Sequence, residues 1–154
     1  MKNTNLRLAK VTEAKSMAMI SRDLVENNLL WCWTPTRIQK SIYNPDTVVL
    51  AADIDHRLVG FAIMDFDYEE AHLNLLAVSE DHQRNGIGTR LVQWLEKSAL
   101  VAGISVIYLE VRTNNTDAQA FYQQLGYRKV QHIFGYYQGR ETAVRMARDL
   151  WHPP

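Results

Sequence analysis

The chain has 154 residues, of which 47% are hydrophobic and 22% charged, a composition typical of globular proteins and not of disordered chains. At this length we expect one domain over residues 1–154. Basic and acidic residues both number 17, so the formal net charge is zero. The lack of a strong positive field argues against a dedicated nucleic-acid-binding protein.

Two further absences narrow the class of protein. The single cysteine, Cys32, excludes an internal disulfide and gives no sign of an oxidising compartment. The N-terminal residues lack the apolar core of a signal peptide, and no apolar run approaches the ~18 residues of a membrane span. We therefore expect a cytoplasmic protein without a membrane partner. The five histidines show no ligand spacing, and we expect no metal site.

The first half of the sequence predicts one strand, two helices and a three-stranded antiparallel meander. Residues 5–10 are typical of a short strand, and residues 13–30 carry apolar side chains at helical spacing. Thr34 followed by proline predicts an N-cap and a helix that ends near Tyr43. Apolar and β-branched runs then predict three consecutive strands, over residues 47–52, 58–65 and 71–78.

The second half alternates between helix and strand. Residues 86–102 place an apolar stripe on one helical face, and Gly103 ends that helix; the stripe comprises Ile87, Leu91, Leu95 and Ala99. Residues 116–125 predict one more amphipathic helix, closed by Gly126. Three further strands are expected, over residues 104–111, 127–133 and 142–150, with an aromatic turn over 134–140.

A strand, a long helix and a strand in succession predict a right-handed parallel βαβ step. The fold class is therefore α/β. We expect a mixed, mostly antiparallel sheet of about seven strands, with one parallel step in the middle and about four helices.

The segment over residues 78–89 is the most informative for function. Gly86 and Gly88 lie where the first N–H groups of a helix have no internal partner and bind phosphate well. Two arginines add cationic donors, Arg84 and Arg90. The Gly-Lys-Ser/Thr of a phosphate loop is absent, and Leu91 occupies the third glycine position of a dinucleotide fingerprint. The residues leave open the diphosphate of coenzyme A or a tight turn without a ligand.

Two linked motifs resemble the GNAT superfamily of N-acetyltransferases. Gln83-x-x-Gly86-x-Gly88 is similar to its Gln/Arg-x-x-Gly-x-Gly/Ala motif. A downstream run is similar to its second cofactor segment: Leu109-Glu110-Val111-Arg112, Asn115, Ala118, Phe121-Tyr122 and Leu125-Gly126-Tyr127. The spacing most resembles the branch that acetylates ribosomal-protein alanine termini, as does the C-terminal turn of Tyr136-Tyr137 and Gly139-Arg140-Glu141. The resemblance covers about residues 73–146.

This resemblance implies transfer of an acetyl group from acetyl-CoA to a primary amine, by direct attack in a ternary complex. It also implies a set of cofactor-binding residues, in which the backbone near Val78 donates to the thioester oxygen. The set comprises Leu76, Ala77, Val78, Gln83, Arg84, Asn85, Gly86, Ile87, Gly88, Thr89 and Asn115. The residues alone also favour Asn115 as a helix N-cap, and both roles are compatible.

Glu110 is the candidate general base, acting alone or through a water. It shares a strand face with Val106 and Tyr108, where burial is expected to raise its pKa toward a useful value. Spacing alone favours a different interpretation, a salt bridge with Arg112 on the same face. The resemblance favours the base, because it matches Glu110 to the family's base position.

Tyr122 is the candidate acid, matched by the resemblance to the family's proton donor to sulfur. From the residues alone it is an ordinary packed helix tyrosine. A thiol with a pKa near 8.5 leaves readily as thiolate, so loss of Tyr122 is expected to slow the enzyme without abolishing activity.

Candidate acceptor-binding residues carry a weaker signal. His72 and Asn74 share a strand face with Val78 and are placed to reach an acceptor. Four aromatic residues line a peptide groove or, for one or two of them, belong to the core: Trp31, Trp33, Tyr136 and Tyr137. Four acidic residues attract a cationic amine or, as we favour, form a solvated turn: Asp65, Asp67, Glu69 and Glu70. Cys32 is expected to be a small buried side chain.

We favour a protein or peptide α-amine as the acceptor. Its pKa of about 7.7–8.0, against about 10.4 for lysine, means that it needs less help from one carboxylate. A small amine acceptor (a polyamine, amino acid or antibiotic) and a non-catalytic acyl-CoA sensor remain alternatives. The sequence predicts no particular oligomeric state.

Overall fold

A computed structural model describes residues 3–152 of the chain. The strands are β1 Asn5–Leu8, β2 Thr47–Ile54, β3 Arg57–Asp67, β4 Glu70–Val78, β5 Val106–Arg112, β6 Arg128–Tyr137 and β7 Glu141–Asp149. The α-helices are α1 Ala14–Ile20, α2 Pro35–Tyr43, α3 Ile87–Val101 and α4 Thr116–Gln124.

The strands form one seven-stranded sheet in the order β1-β2-β3-β4-β5-β7-β6. β4 pairs with β5 in parallel, and α3 connects them, which confirms the predicted βαβ step. The pairs β1–β2, β2–β3, β5–β7 and β6–β7 are antiparallel. The expected mixed, mostly antiparallel α/β fold is therefore confirmed.

The chain packs as two compact units. The first unit is the chain up to Asp65 together with Asn74–Leu95, and the second is Phe66–Leu73 together with the chain from Glu96 onward. The division falls within β3, within β4 and within α3, so each of these three elements contributes residues to both units.

The core of the first unit lies between the first two helices and the sheet. Met17 of α1 and Ile38 of α2 are fully buried, and they pack with Phe61 and Ile63 of β3. The apolar stripe predicted for α3 is also buried. Helical and strand periodicities thus place their apolar residues on the core side as expected.

The first helical region is shorter than the pattern over residues 13–30 predicts. A 3₁₀ turn over Val11–Glu13 precedes α1, and a π-helical turn over Ser21–Val25 follows it. The buried carboxylate of Glu26 then accepts hydrogen bonds from the main-chain N–H groups of Cys32 and Trp33, at 2.6 and 3.1 Å. These bonds fold the following chain back on itself and leave Cys32 exposed, so the expectation of a buried cysteine was wrong.

The core of the second unit is built from β5 and its antiparallel neighbour β7. Residues of β5 alternate, with Ile107, Leu109 and Val111 buried and the intervening side chains on the other face. From β7, Val144 and Met146 lie opposite Val111 and Leu109 and are also buried. This alternation is what puts Glu110 on the face opposite the core side chains of its strand.

Two boundaries in the second unit differ from expectation. β5 begins at Val106 and not at residue 104, because the N–H groups of Ser105 and Val106 bond to the Glu69 carbonyl where the parallel pairing starts. β6 continues to Tyr137, which shortens the predicted aromatic turn. Within residues 3–152 we find no helix that combines the length and apolar character needed to cross a membrane.

Candidate active site

The Glu110 cluster, in the second unit, consists of Glu110 and the three side chains that hydrogen-bond to it. Nε2 of His72 lies 2.5 Å from Oε1, and the hydroxyl of Tyr136 donates to the same oxygen at 2.9 Å. Nε of Arg145 donates to Oε2 at 2.8 Å. Both carboxylate oxygens are therefore engaged, and the Glu110 side chain is only 3% exposed.

Strand register explains how four distant residues meet. Glu110 lies directly opposite Arg145 in the antiparallel β5–β7 pair, which puts both side chains on one face. In the parallel pair, His72 of β4 lies opposite Tyr108, two residues before Glu110 and on the same face. β6 contributes Tyr136. The cluster therefore depends on β5 and on three other strands of the sheet, β4, β6 and β7.

The pKa of Glu110 moves in the direction opposite to the prediction. Burial alone raises it, but hydrogen bonds from His72 and Arg145, together with the charge of His72, outweigh burial. Together with the Tyr136 hydroxyl they lower the pKa of Glu110 from 4.5 to about 2. The carboxylate is therefore ionised at neutral pH and is a weak base by itself.

Arg112 forms an ion pair with Glu141, whereas spacing alone favoured Glu110 as its partner. Nε of Arg112 lies 3.3 Å from Oε2 of Glu141. Side chains at i and i+2 of a strand are separated by about 6.6 Å of backbone rise. Arg145, directly across the ladder, reaches the carboxylate more easily.

Tyr122 is a buried side chain of α4. Its ring makes edge-to-face contacts with Phe121 and Tyr127, at centroid distances of 5.0 and 5.7 Å. Burial raises the pKa of Tyr122 above its ordinary value. The interpretation of Tyr122 as a packed tyrosine is confirmed. Because its pKa is raised, the hydroxyl stays protonated, as the expected donor role requires.

A second buried carboxylate, which we did not predict, lies in the same unit. Glu96 of α3 accepts a hydrogen bond from the Tyr127 hydroxyl at 2.9 Å and an ion pair from Nη1 of Arg148 at 2.7 Å. We call these three residues the Glu96 cluster. The sequence held one signal for it: Glu96 falls between Val92 and Ala99 on the apolar face of the helix, where a carboxylate needs partners.

The glycine turn, residues 83–89, belongs to the first unit. Gln83 Nε2 donates to the Val78 carbonyl at 3.0 Å and ties the turn to the end of β4. Arg84 and Gly86 both have positive φ, of 66° and 81°. The N–H of Arg90 bonds to the Gly86 carbonyl at 3.0 Å, so the amides of residues 86–89 precede the α3 hydrogen-bond ladder.

Asn115 caps α4 in the second unit. Its Oδ1 accepts a hydrogen bond from the Ala118 N–H at 3.1 Å, which confirms the N-cap interpretation. Buried Gln119 donates to the carbonyls of Arg112 and Thr113, at 3.2 and 2.8 Å. The loop before α4 is therefore fixed by side chains of the helix itself.

The other candidate acceptor residues are not all brought together. His72 and Tyr136 belong to the Glu110 cluster, and Tyr137 packs edge-to-face on Tyr136 at 5.0 Å. Asn74 instead donates to Asp65, in the first unit, at 2.6 Å. The four acidic residues are exposed, as expected for a solvated turn: Asp65, Asp67, Glu69 and Glu70.

The two tryptophans belong to the first unit. Trp33 is half-buried against its core, and the Arg37 guanidinium stacks 3.7 Å from the ring centroid. Trp31 donates from its indole to the Ala18 carbonyl at 3.2 Å and stays partly exposed. Trp33 therefore packs against the core, as we expected for one or two of the four aromatic residues, whereas Trp31 is partly exposed.

Comparison with known proteins identifies the kind of molecule. Residues 15–127 match the model of the acetyltransferase (GNAT) family. An uncharacterized N-acetyltransferase of Methanocaldococcus jannaschii is 37% identical over 98 residues, 63% of each chain. The ribosomal protein bS18-alanine N-acetyltransferase of Salmonella typhimurium is 38% identical over 99 residues, 62% of this chain and 67% of that protein.

Solved structures agree with the observed fold. The crystal structure of the ribosomal-protein-S18-alanine N-acetyltransferase from Escherichia coli superposes with a TM-score of 0.82 at 25% identity. The superposition covers 96% of this chain and 94% of that one. The sequence match to the Methanocaldococcus protein, in contrast, spans less than two thirds of that relative's length.

Proposed function

Since the chain belongs to the acetyltransferase (GNAT) family, we propose that it is an acetyl-CoA-dependent N-acetyltransferase acting on the α-amine of a protein or peptide N-terminus. The observation that carries this proposal is the family match over residues 15–127, which includes the glycine turn, Glu110 and Tyr122. The acceptor class is supported by the Salmonella typhimurium relative, named for a ribosomal protein alanine. We propose direct attack by the amine in a ternary complex.

The glycine turn fits the diphosphate of coenzyme A. Its main-chain N–H groups precede the helix ladder, Arg84 adds a positive charge, and residues 83–89 contain no carboxylate. We assign the cofactor to this turn and the end of β4: Leu76, Ala77, Val78, Gln83, Arg84, Asn85, Gly86, Ile87, Gly88 and Thr89. For Asn115, in the second unit, the cofactor role stays a prediction from the resemblance. When bound, coenzyme A supplies the acetyl group as a thioester.

The His72–Glu110 pair is assigned as the acceptor of the amine proton. With its pKa near 2, Glu110 alone binds a proton too weakly to act as base near neutral pH. His72 is 36% exposed against 3% for Glu110, and an imidazole titrates near pH 6.5 in its ordinary state. In this assignment Glu110 orients the ring and stabilises the imidazolium, as a carboxylate does beside a catalytic histidine.

Tyr122 is assigned as the proton donor to the departing thiolate. Its buried hydroxyl stays protonated across the physiological range because burial raises its pKa. Since a thiolate leaves without much assistance, a modest loss of rate is expected on removing this hydroxyl.

An acceptor screen tests the activity. Purified protein and acetyl-CoA are incubated with short peptides that have free N-termini, and thiol release is measured against the same peptides with blocked N-termini. Polyamines and free amino acids form the comparison set. We expect release with free N-termini only. Release with small amines alone would overturn the acceptor class, and acetyl-CoA binding without any turnover would indicate a sensor.

A pair of glycine variants tests the cofactor assignment. Gly86 and Gly103 lie before and after α3, both have positive φ (81° and 85°), and an added Cβ meets nothing within 4 Å at either. Alanine at either position therefore introduces similar backbone strain, of about 1 kcal/mol. We expect Gly86→Ala, but not Gly103→Ala, to raise the Kd for coenzyme A about tenfold, measured by calorimetry. Equal affinities in both variants would contradict the assignment.

A further inference from the structure

Among the three groups that hold Glu110, Arg145 is the one with a permanent charge. The guanidinium stays protonated at all accessible pH values, and its Nε lies 2.8 Å from Oε2 of Glu110. Tyr136 brings a neutral hydroxyl, and His72 brings an imidazole whose charge depends on its protonation. The Glu110–Arg145 pair is therefore neutral whenever the site is ready to bind an amine.

This neutrality decides which form of the amine the site accepts. A buried carboxylate without a counter-charge attracts an ammonium group strongly, because the two charges interact in a medium of low dielectric constant. Once Arg145 already balances the carboxylate, an entering ammonium loses hydration and gains no opposite charge. A neutral amine has no comparable desolvation cost.

We propose that Arg145 is a specificity-determining residue: by balancing the charge of Glu110, it makes the site select weakly basic amines, such as N-terminal α-amines, over lysine side chains and polyamines. This inference rests on the proposed function and names the feature that sets its acceptor class. At pH 7, the neutral fractions of an α-amine and a lysine amine differ by about 300-fold, given ordinary pKa values near 7.8 and 10.4. A site that binds only the neutral amine therefore prefers the α-amine over the lysine amine by a factor close to this ratio.

Two peptides of one sequence test the proposal. One has a free N-terminus and an acetylated lysine, and the other has an acetylated N-terminus and a free lysine near the start. The measured quantity is the ratio of kcat/KM for the two peptides at pH 7. For the wild type we expect a ratio of about 100 or more in favour of the α-amine.

Three variants separate charge from hydrogen bonding and shape. Arg145→Lys keeps the charge and should keep the ratio within about threefold, whereas Arg145→Gln and Arg145→Met should lower it at least tenfold through better use of the lysine peptide. Glutamine can donate a hydrogen bond and methionine cannot, so similar behaviour of the two assigns the effect to charge. Lys129→Gln removes an exposed positive charge of β6 outside the cluster and should leave the ratio unchanged.

The outcomes are distinct. An unchanged ratio in Arg145→Gln, or equal ratios in Arg145→Lys and Arg145→Met, would overturn the proposal. Loss of both activities in a variant that still melts cooperatively would also overturn it, because Arg145 would then serve the reaction and not the choice of acceptor. A wild type that acetylates neither peptide would refute the proposed function itself, and this is measured before any variant. Because Arg145 is half-buried at the cluster, thermal melts check that each variant folds.

Discussion

The second unit contains two carboxylate clusters built from nearly the same parts. Glu110 and Glu96 each accept a tyrosine hydroxyl at 2.9 Å. Each also pairs with an arginine, at 2.8 Å for Arg145 and 2.7 Å for Arg148. Their side chains are almost equally inaccessible, at 3% and 9% exposure. The carboxylates themselves therefore do not distinguish a reactive site from a structural one.

The two clusters differ in the side chains that bind each carboxylate. Tyr127, in the Glu96 cluster, is 2% exposed, whereas Tyr136, in the Glu110 cluster, is 41% exposed. The Glu110 cluster also contains a histidine, the side chain whose charge changes near neutral pH. The tyrosine hydroxyl of the Glu96 cluster is buried, whereas two partners of Glu110, Tyr136 and His72, are partly exposed. We therefore expect the Glu96 cluster to stabilise the fold and the Glu110 cluster to exchange protons.

The largest difference between the clusters is expected in catalysis. Glu110→Gln should lower kcat about 100-fold or more, a loss typical of disrupted acid–base catalysis, because the ring of His72 loses its anionic partner. Steady-state thiol release with a free-N-terminal peptide measures this change. Glu141→Gln is the control, since it removes another ion-paired carboxylate of the same unit, and it should stay within about threefold of wild type.

A fall in activity of Glu141→Gln equal to that of Glu110→Gln would mean that any loss of a carboxylate disturbs this unit. Full activity of Glu110→Gln would remove Glu110 from the proposed chemistry. In either case the distinction between an open, reactive cluster and its structural counterpart would fail.

The next effect in size concerns His72. His72→Gln should lower kcat/KM about 30-fold, within the range for loss of a general base, and should abolish the acid limb of the pH–rate profile. The reason is that the group which must be deprotonated is then absent. A profile measured between pH 5 and 9 checks this. An acid limb that persists unchanged in His72→Gln would assign the ionisation to another group.

For stability we expect the opposite order, with a larger loss on changing the Glu96 cluster than on changing the Glu110 cluster. Glu96→Ala leaves Arg148 and the buried Tyr127 hydroxyl without their acceptor, which costs about 2–3 kcal/mol. Urea unfolding should show this loss, while kcat of the folded protein stays within about fivefold of wild type. A stable Glu96→Ala variant with greatly reduced kcat would place the Glu96 cluster in the reaction.

The sequence predicted the elements of the fold better than the partners within the site. Alternation along β5 placed Glu110 opposite the core, and helical spacing identified the buried stripe of α3, because both patterns depend on neighbours close in sequence. The partners of Glu110 lie 38, 26 and 35 residues away. Such pairings follow from strand register, which no local pattern specifies.

The errors have the same origin. The expected rise in the pKa of Glu110 considered burial, which periodicity reveals, and omitted the donors from three other strands. The end of the first helical region was missed because Glu26 binds main-chain groups after the helix. In each case a polar contact between distant residues outweighed a local preference.

Acid unfolding offers a smaller effect specific to Glu110. Its pKa is about 2 in the folded protein, below the ordinary 4.5, so its interactions stabilise the fold above pH 4.5. That contribution is lost as the pH falls from 4.5 to 2, with a slope of at most about 1.4 kcal/mol per pH unit. Urea unfolding at several pH values should show a shallower slope in Glu110→Gln than in wild type. Identical slopes would mean that the carboxylate titrates normally.

The smallest effects come from removing each tyrosine hydroxyl. Tyr136→Phe takes one donor from Glu110, but two donors remain, so we expect a fall in kcat of about threefold to fivefold and little change in stability.

Tyr127→Phe should do the reverse. It keeps the ring contact with Tyr122 and loses one buried hydrogen bond, so it should cost about 1 kcal/mol of unfolding free energy and leave kcat near wild type. Measuring kcat and urea unfolding on both variants completes the comparison, since the two substitutions are chemically identical and differ in their surroundings. If both lowered kcat alike, the Tyr127 hydroxyl would also serve the reaction, and solvent exposure would no longer explain which cluster is reactive.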